Sequence, residues 1–212
     1  MEVETSGYQI MDSSDEDGEW RDVPDGAMVN GCAYYPPSEQ ELHIKKLLEE
    51  KQGIRLDIGG GGNPQPGFVN IDMRNLPEVD IVHNVTDIPW PLPDGCVLTA
   101  LASHLVEHIN PADFGFIKFM DEVWRVMKVG GEFAIAAPHG SSQGYLQDPT
   151  HCNPCNEVTW AYFDPLEPNT KGILYNIYKP KPWQIKHLVW SPAANMEIVL
   201  IKRSEDYNDE EE

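Results

Sequence analysis

The chain has 212 residues, with 35 acidic and 15 basic side chains and a formal net charge of -20. That balance argues against long duplex DNA or RNA as a partner, because nonspecific affinity for nucleic acid comes mainly from neutralising phosphates. The length suffices to bury a sizeable core, and no segment approaches the apolar length of a membrane span or shows a signal peptide's pattern. No membrane partner and a cytoplasmic location are therefore expected.

The charge is uneven. Met1 to Asn30 holds nine acids and one arginine, and Ser204 to Glu212 holds six acids and no base, so the ends carry -8 and -6 and leave -6 for the rest. Such runs read as solvated, disordered tails around one domain over residues 31–203. Inside that domain a first helix is expected from about Ser38, with a capping box in Ser38 and Glu41, apolar Leu42, Leu47 and Leu48, and Gly53 as its stop.

The next segment, Ile54 to Arg74, reads IRLDIGGGGNPQPGFVNIDMR. Ile54, Leu56 and Ile58 suit a buried strand, and Phe68 to Ile71 suit a parallel neighbour. Between them Gly59 to Gly62 let backbone approach a ligand closely. Asp72 then stands where a carboxylate can take both hydroxyls of a ribose, so the unit reads as nucleoside-binding, with a merely tight structural turn as the alternative. A pyrophosphate site needs G-x-G-x-x-G opening a helix. Here Pro64 takes the third glycine position, and the run Asn63-Pro64-Gln65-Pro66-Gly67 breaks helices, which disfavours a dinucleotide. Asp57 and Asp72 are only fifteen positions apart, too few for two strands and a full helical crossover, so that helix is expected to be short or missing.

Further along, Val79 to Val82 reads as a third strand, followed by Asp87 and the loop Ile88-Pro89-Trp90-Pro91. Val97 to Ser103 reads as a fourth. A helix over Pro111 to Met127 has Met120, Val123, Trp124 and Met127 on one face and is closed by Lys128 and Gly130-Gly131, before a fifth strand over Glu132 to Ala137. Trp183 to Trp190 and Met196 to Arg203 read as a closing hairpin with the last strand antiparallel.

The pieces GFVNID, SHLVEHI and DEVWRVMKVGGEFAIAAP, in that order over Ile54 to Pro138, resemble class I S-adenosylmethionine-dependent methyltransferases, particularly the small branch similar to methyltransferase type 11. The resemblance implies a Rossmann-like α/β fold, a mostly parallel sheet with a C-terminal antiparallel hairpin, and S-adenosyl-L-methionine as cofactor. On that likeness Gly59 and Gly61 face the methionine part, Asp57 helps position its amine side, Asp72 binds ribose, Asp87 and Ile88 flank adenine, and Met73 and Ser103 complete the cofactor-binding set. His104, at the end of the fourth strand where the acceptor meets the methyl group, is the candidate catalytic base, with substrate contact or packing as its alternatives. His108 is read as a structural histidine of the turn.

Substrate choice is assigned to an insertion over about 139–170. His139, His151, Trp160 and Tyr162, with Glu157 and Phe163, are candidates to wall a pocket, core or lid packing being the equal alternative. Cys152 and Cys155 form a C-x-x-C beside His151, but Cys32 and Cys96 make no second close pair, so ordinary thiols and no metal are expected. The acceptor is expected to be a small molecule or protein; no motif names its reacting atom or an oligomeric state. A cofactor-binding, non-catalytic or regulatory homologue would carry the same strands, and aminopropyl transfer or a nicotinamide enzyme stand behind it.

Overall fold

The computed structural model describes residues 38–49, 53–190 and 194–207 with their side chains, and the backbone of residues 9–11, 20–22, 28–29, 32–33 and 50. The chain divides into two compact units, Met1–Lys45 and Lys46–Glu212. In the first, β1 (Gln9–Met11) pairs antiparallel with β2 (Trp20–Asp22), and β3 (Met28–Val29) with β4 (Cys32–Ala33). Two short pairings thus lie within or next to the acidic N-terminal stretch whose composition suggests no structure. Helix α1 (Glu39–Glu50) begins with the expected box: Ser38 Oγ accepts the Glu41 N–H at 3.2 Å, and Glu41 Oε2 accepts the Ser38 N–H at 2.6 Å.

The second unit is built on one seven-stranded sheet. Its strands are β5 (Ile54–Ile58), β6 (Val69–Asp72), β7 (Ile81–Val82), β8 (Val97–Ser103), β9 (Met127–Pro138), β10 (Trp183–Trp190) and β11 (Asn195–Lys202), in the order β10-β11-β9-β8-β5-β6-β7. β7, β6, β5, β8 and β9 run parallel, while β11 enters antiparallel between β9 and β10. Leu56, Ile58, Ile71, Ile81, Val97, Ala100 and Phe133 are fully buried, as apolar runs in a covered parallel sheet require.

The helix expected from Pro111 is a 3₁₀ turn (Ala112–Phe114) followed by α2 (Gly115–Val126). Phe116, Phe119, Met120, Val123, Trp124 and Val126 are its buried apolar residues, and Trp124 Nε1 donates to the Pro182 carbonyl at 2.9 Å. β9 pairs Val97 with Met127 and then Thr99 with Glu132, so Lys128 to Gly131 bulge out and the continuous ladder starts at Glu132 as expected. No helix forms between Ile58 and Val69. The short α3 (Gln143–Leu146), a 3₁₀ stretch (Glu157–Tyr162) and α4 (Tyr175–Tyr178) make up the helical parts of the insertion and its exit. No helix among the described residues is long and apolar enough to cross a membrane.

Candidate functional site

Because β5, β6, β8 and β9 are parallel, their carboxyl ends open on one edge of the sheet, where ligands of such sheets collect. Asp57, Asp72, Ser103 and Pro138 all lie at those ends. In place of a crossover helix, the β5–β6 loop is held by polar side chains. Asp57 Oδ2 accepts the Gln65 N–H at 2.6 Å, and Asn70 Nδ2 donates to the Gly61 and Glu78 carbonyls at 2.8 Å each. Asn70 is fully buried and Asp57 nearly so, and burial pushes the Asp57 carboxyl up. One Asp57 oxygen therefore supports the turn from beneath.

Gly59 and Gly61 both carry left-handed backbone, with φ of 77° and 58°, which glycine adopts without strain. The Gly61 N–H donates to Asp72 Oδ2 at 3.0 Å. Arg74 also reaches this acid: its N–H donates to Oδ1 at 2.8 Å and its Nε at 3.1 Å. Burial raises the Asp72 carboxyl, but these Arg74 contacts and the Gly61 N–H outweigh it and hold the group below the usual carboxylate range. A Cβ at Gly61 would run into Arg74 Nη2, so the guanidinium covers the glycine turn. The arginine side chain is 60% exposed and has room to swing away. Met73 is largely exposed beside it.

A cavity of about 590 Å³ is lined by Thr86, Asp87, Ile88, Ile109, Asn110, Gly115 and Lys118. Its Asp87–Ile88 wall is anchored by the following residues. Trp90 is buried, its N–H donates to Glu122 Oε1 at 2.5 Å, and Arg125 Nη1 donates to the Leu92 carbonyl at 2.9 Å. Burying such an aromatic side chain contributes roughly 1.5–3 kcal/mol, enough to hold the loop on α2. The opposite wall comes from the backbone entering α2, where Asp113 and Phe114 are left-handed at φ 52° and 62° and Gly115 passes so close to Asn110 that a Cβ would strike its carbonyl.

Ser103 is exposed at the end of β8, and His104 follows with left-handed φ of 52°. A non-glycine residue held there is a mark of functional or turn strain. His104 Nδ1 lies 3.3 Å from Oε1 of Glu107, which is 1% exposed. Gly59 packs toward Leu105, the residue after His104, which ties the glycine turn to this strand end. His151 from the insertion comes to the same carboxylate, with Nε2 4.0 Å from Glu107 Oε1, and its ring meets that of His108 edge-on at 4.7 Å. His104, His108 and His151 are thus brought around Glu107, a residue that sequence reasoning passed over as part of the EHI turn.

The other insertion residues fall elsewhere. His139 is buried, accepts the Ser141 N–H at Nδ1, faces Glu157 through Nε2 at 3.3 Å and stacks on Trp190 at 4.0 Å. Trp160 is fully buried, edge-on to Phe116 at 6.2 Å, so it is packed in the core and walls no open space. Tyr162 does line a cavity, of about 440 Å³, with Phe114, Phe116, Ile117, Phe163 and Tyr178. Burial pushes the Cys155 thiol up to about 12 and the Cys96 thiol up to about 11, so both are inert thiols; Cys152 is exposed. Cys32 has no described side chain.

No protein-family model matches the sequence, and comparison with curated proteins finds no match either. Solved structures do match. The 16S rRNA (adenine(1408)-N(1))-methyltransferase of Catenulisporales acidiphilia, crystallised with its cosubstrate S-adenosylmethionine, aligns over 82% of this chain and 95% of its own, with a TM-score of 0.51 and 10% identity. The chain has the fold of an S-adenosylmethionine-dependent methyltransferase. An Archaeoglobus fulgidus methyltransferase of that kind aligns over 77% of this chain and 95% of its own at 19% identity and a TM-score of 0.48. A putative methyltransferase solved in complex with the Haloferax volcanii Trm112 activator aligns over 80% and 92% at 11% identity and 0.49.

Proposed function

We propose that the protein binds S-adenosyl-L-methionine at the carboxyl edge of the sheet and transfers its methyl group to a small molecule or protein. The carrying observation is the glycine turn hydrogen-bonded onto Asp72 at the end of β6, beside a strand end, β8, that leads into the Asn110 wall of the Asp87–Ile88 cavity. Asp72 would take the ribose hydroxyls once Arg74 moves off, Gly59 and Gly61 would admit the methionine part, and Asp87 and Ile88 would flank adenine. The turn offers no helix terminus for a phosphate, which favours this nucleoside over a dinucleotide.

Held by these residues, S-adenosylmethionine would supply a methyl group to an acceptor's lone pair, the carbon–sulfur electrons returning to sulfur. The sulfonium already activates the methyl, so the protein's part is alignment, with proton removal only for acceptors that carry one. His104 would take that proton, with Glu107 orienting its ring. The -6 left for the domain once the acidic ends are set aside weighs against a long nucleic-acid acceptor, although one protein of like fold acts on 16S rRNA.

Calorimetry with S-adenosylmethionine and its demethylated product tests this reading: one equivalent of each should bind. Heat with a dinucleotide and none with either nucleoside would overturn it. The Arg74–Asp72 contact is the one feature that favours a non-catalytic homologue, and nucleoside binding with no methylated product from any acceptor would support that second reading.

A further inference from the structure

Past the end of β8, the turn from Val106 to His108 meets the segment from Tyr145 to Asn153 around a buried carboxylate. Glu107 is 1% exposed, and among the described residues neither of its oxygens receives a hydrogen bond, the His104 Nδ1 contact at 3.3 Å being an ion pair only if that ring is protonated. A buried carboxylate without donors is costly unless a cation joins it. His108 and His151 bring ring nitrogens to that point: Glu107, His108 and His151 each offer one donor atom, and the three atoms lie within 4.8 Å of one another.

The lone pairs of both rings are set from outside. His151 Nδ1 lies 2.8 Å from the Tyr145 carbonyl and must be the N–H that donates to it. In the neutral ring Nε2 then keeps its lone pair, and Nε2 lies 4.0 Å from Glu107 Oε1 and 3.8 Å from Asp148 Oδ2. At His108, Nδ1 lies 3.1 Å from Thr150 Oγ1, and that hydroxyl gives its own proton to Asp148 Oδ1 at 2.7 Å. The Thr150 hydroxyl and amide hold the Asp148 carboxyl below the usual range, so Asp148 only accepts. Thr150 must then accept from His108 Nδ1, which leaves the lone pair on His108 Nε2. Two imidazoles, which in their neutral form are each tied by the outer N–H to an oxygen, together with one carboxylate, are the donor set and the outer shell of a transition-metal site.

We propose that Glu107, His108 and His151 bind a divalent transition-metal ion, zinc being the best match to a His₂Glu set. Ligand atoms about 2.1 Å from zinc stand roughly 3.4 Å apart, so separations of up to 4.8 Å close by up to about 1.4 Å: the exposed His108 moves by rotation, and Glu107 and His151, 4.0 Å apart, approach by roughly 0.6 Å. His104 Nδ1, 3.3 Å from the same Glu107 oxygen, is already at that spacing. The proposal goes beyond methyl transfer and needs no bound nucleoside, so either reading can fail alone.

The test is titration of the chelator-stripped full chain with Zn²⁺, Co²⁺ and Mg²⁺. One equivalent of zinc should bind, magnesium should bind far more weakly because imidazole suits it poorly, and cobalt should give ligand-field bands without a thiolate charge-transfer band. Glu107→Gln, His151→Asn and His108→Asn should each weaken zinc by about tenfold or more, while Cys152→Ser leaves it unchanged. His108 is exposed, so its variant decides the matter if the buried substitutions impair folding. No saturable zinc binding, or binding that survives His108→Asn and is lost in Cys152→Ser, would overturn the site.

Discussion

At the scale of single residues, the carboxylates at the strand ends do different work. Asp57 and Asp72 both occupy positions where the chain leaves the sheet, yet Asp57 is tied to Gln65 beneath the turn and Asp72 faces it through Gly61 and Arg74. Asp72→Ala should weaken nucleoside binding by about 10- to 100-fold, the loss expected for hydrogen bonds to a charged acceptor. Gly61→Val should abolish it, because a β-branched side chain cannot take the left-handed backbone without strain and stands where the backbone must approach the ligand. Arg74→Ala should act in the opposite direction and tighten binding roughly a few-fold, since the mostly exposed arginine contributes little and its removal frees the Asp72 oxygens. Calorimetry on the three variants separates these signs, and equal losses in all would show that Arg74 belongs to the bound state. His104→Ala should lower turnover by roughly 10²-fold with little change in cofactor affinity. Full turnover with an unchanged pH profile would remove His104 from the chemistry.

At the scale of elements, the site depends on a loop fastened to a helix. Glu122 on α2 accepts the Trp90 N–H and pairs with Arg125, which in turn holds the Trp90 and Leu92 carbonyls. Burial raises the Glu122 carboxyl, but the Arg125 guanidinium and the Trp90 N–H outweigh it and hold the group below the ordinary glutamate range. A depressed folded pKa contributes stability above the unfolded value and loses it as pH falls through the folded one, here below roughly pH 5. Glu122→Gln should therefore cost about 1.5–3 kcal/mol at neutral pH and flatten the fall in stability on acidification. Urea unfolding measured across pH 3 to 7, roughly the span in which carboxylates titrate, checks both. The same variant should loosen the Asp87–Ile88 wall and weaken nucleoside binding, whereas a wild-type acid slope would place the titrating group elsewhere.

At the scale of the whole molecule, the C-terminal acidic stretch is not wholly free of the domain. Glu205 pairs with Lys181, and the Tyr207 ring meets Tyr175 edge-on at 6.4 Å. Deleting Ser204 to Glu212 should lower the melting temperature by about 2–4 °C, which is what losing roughly 1 kcal/mol does to a chain of this size. An unchanged melting curve would mean these contacts contribute nothing.

What the amino-acid sequence determined by itself is the strand order along the chain, the missing crossover helix and the acids at the strand ends. Those follow from local chemistry: apolar runs of strand length, the prolines and glycines between Ile58 and Val69, and the spacing of Asp57 and Asp72. The α1 capping box was legible for the same reason. Only the tertiary structure decided which partners these residues meet. Arg74 covers Asp72 because the chain turns back at the end of β6, a contact that two positions of sequence separation do not announce. Trp160 reads like Tyr162 in composition, yet one is sealed against Phe116 and the other lines a cavity. His151 lies more than forty residues beyond Glu107, and their meeting is created by the insertion folding over the end of β8, where Cys152 and Asn153 both donate to the Glu107 carbonyl. Patterns of two or three and a half residues reveal faces of strands and helices; the approach of distant side chains depends on how those faces pack.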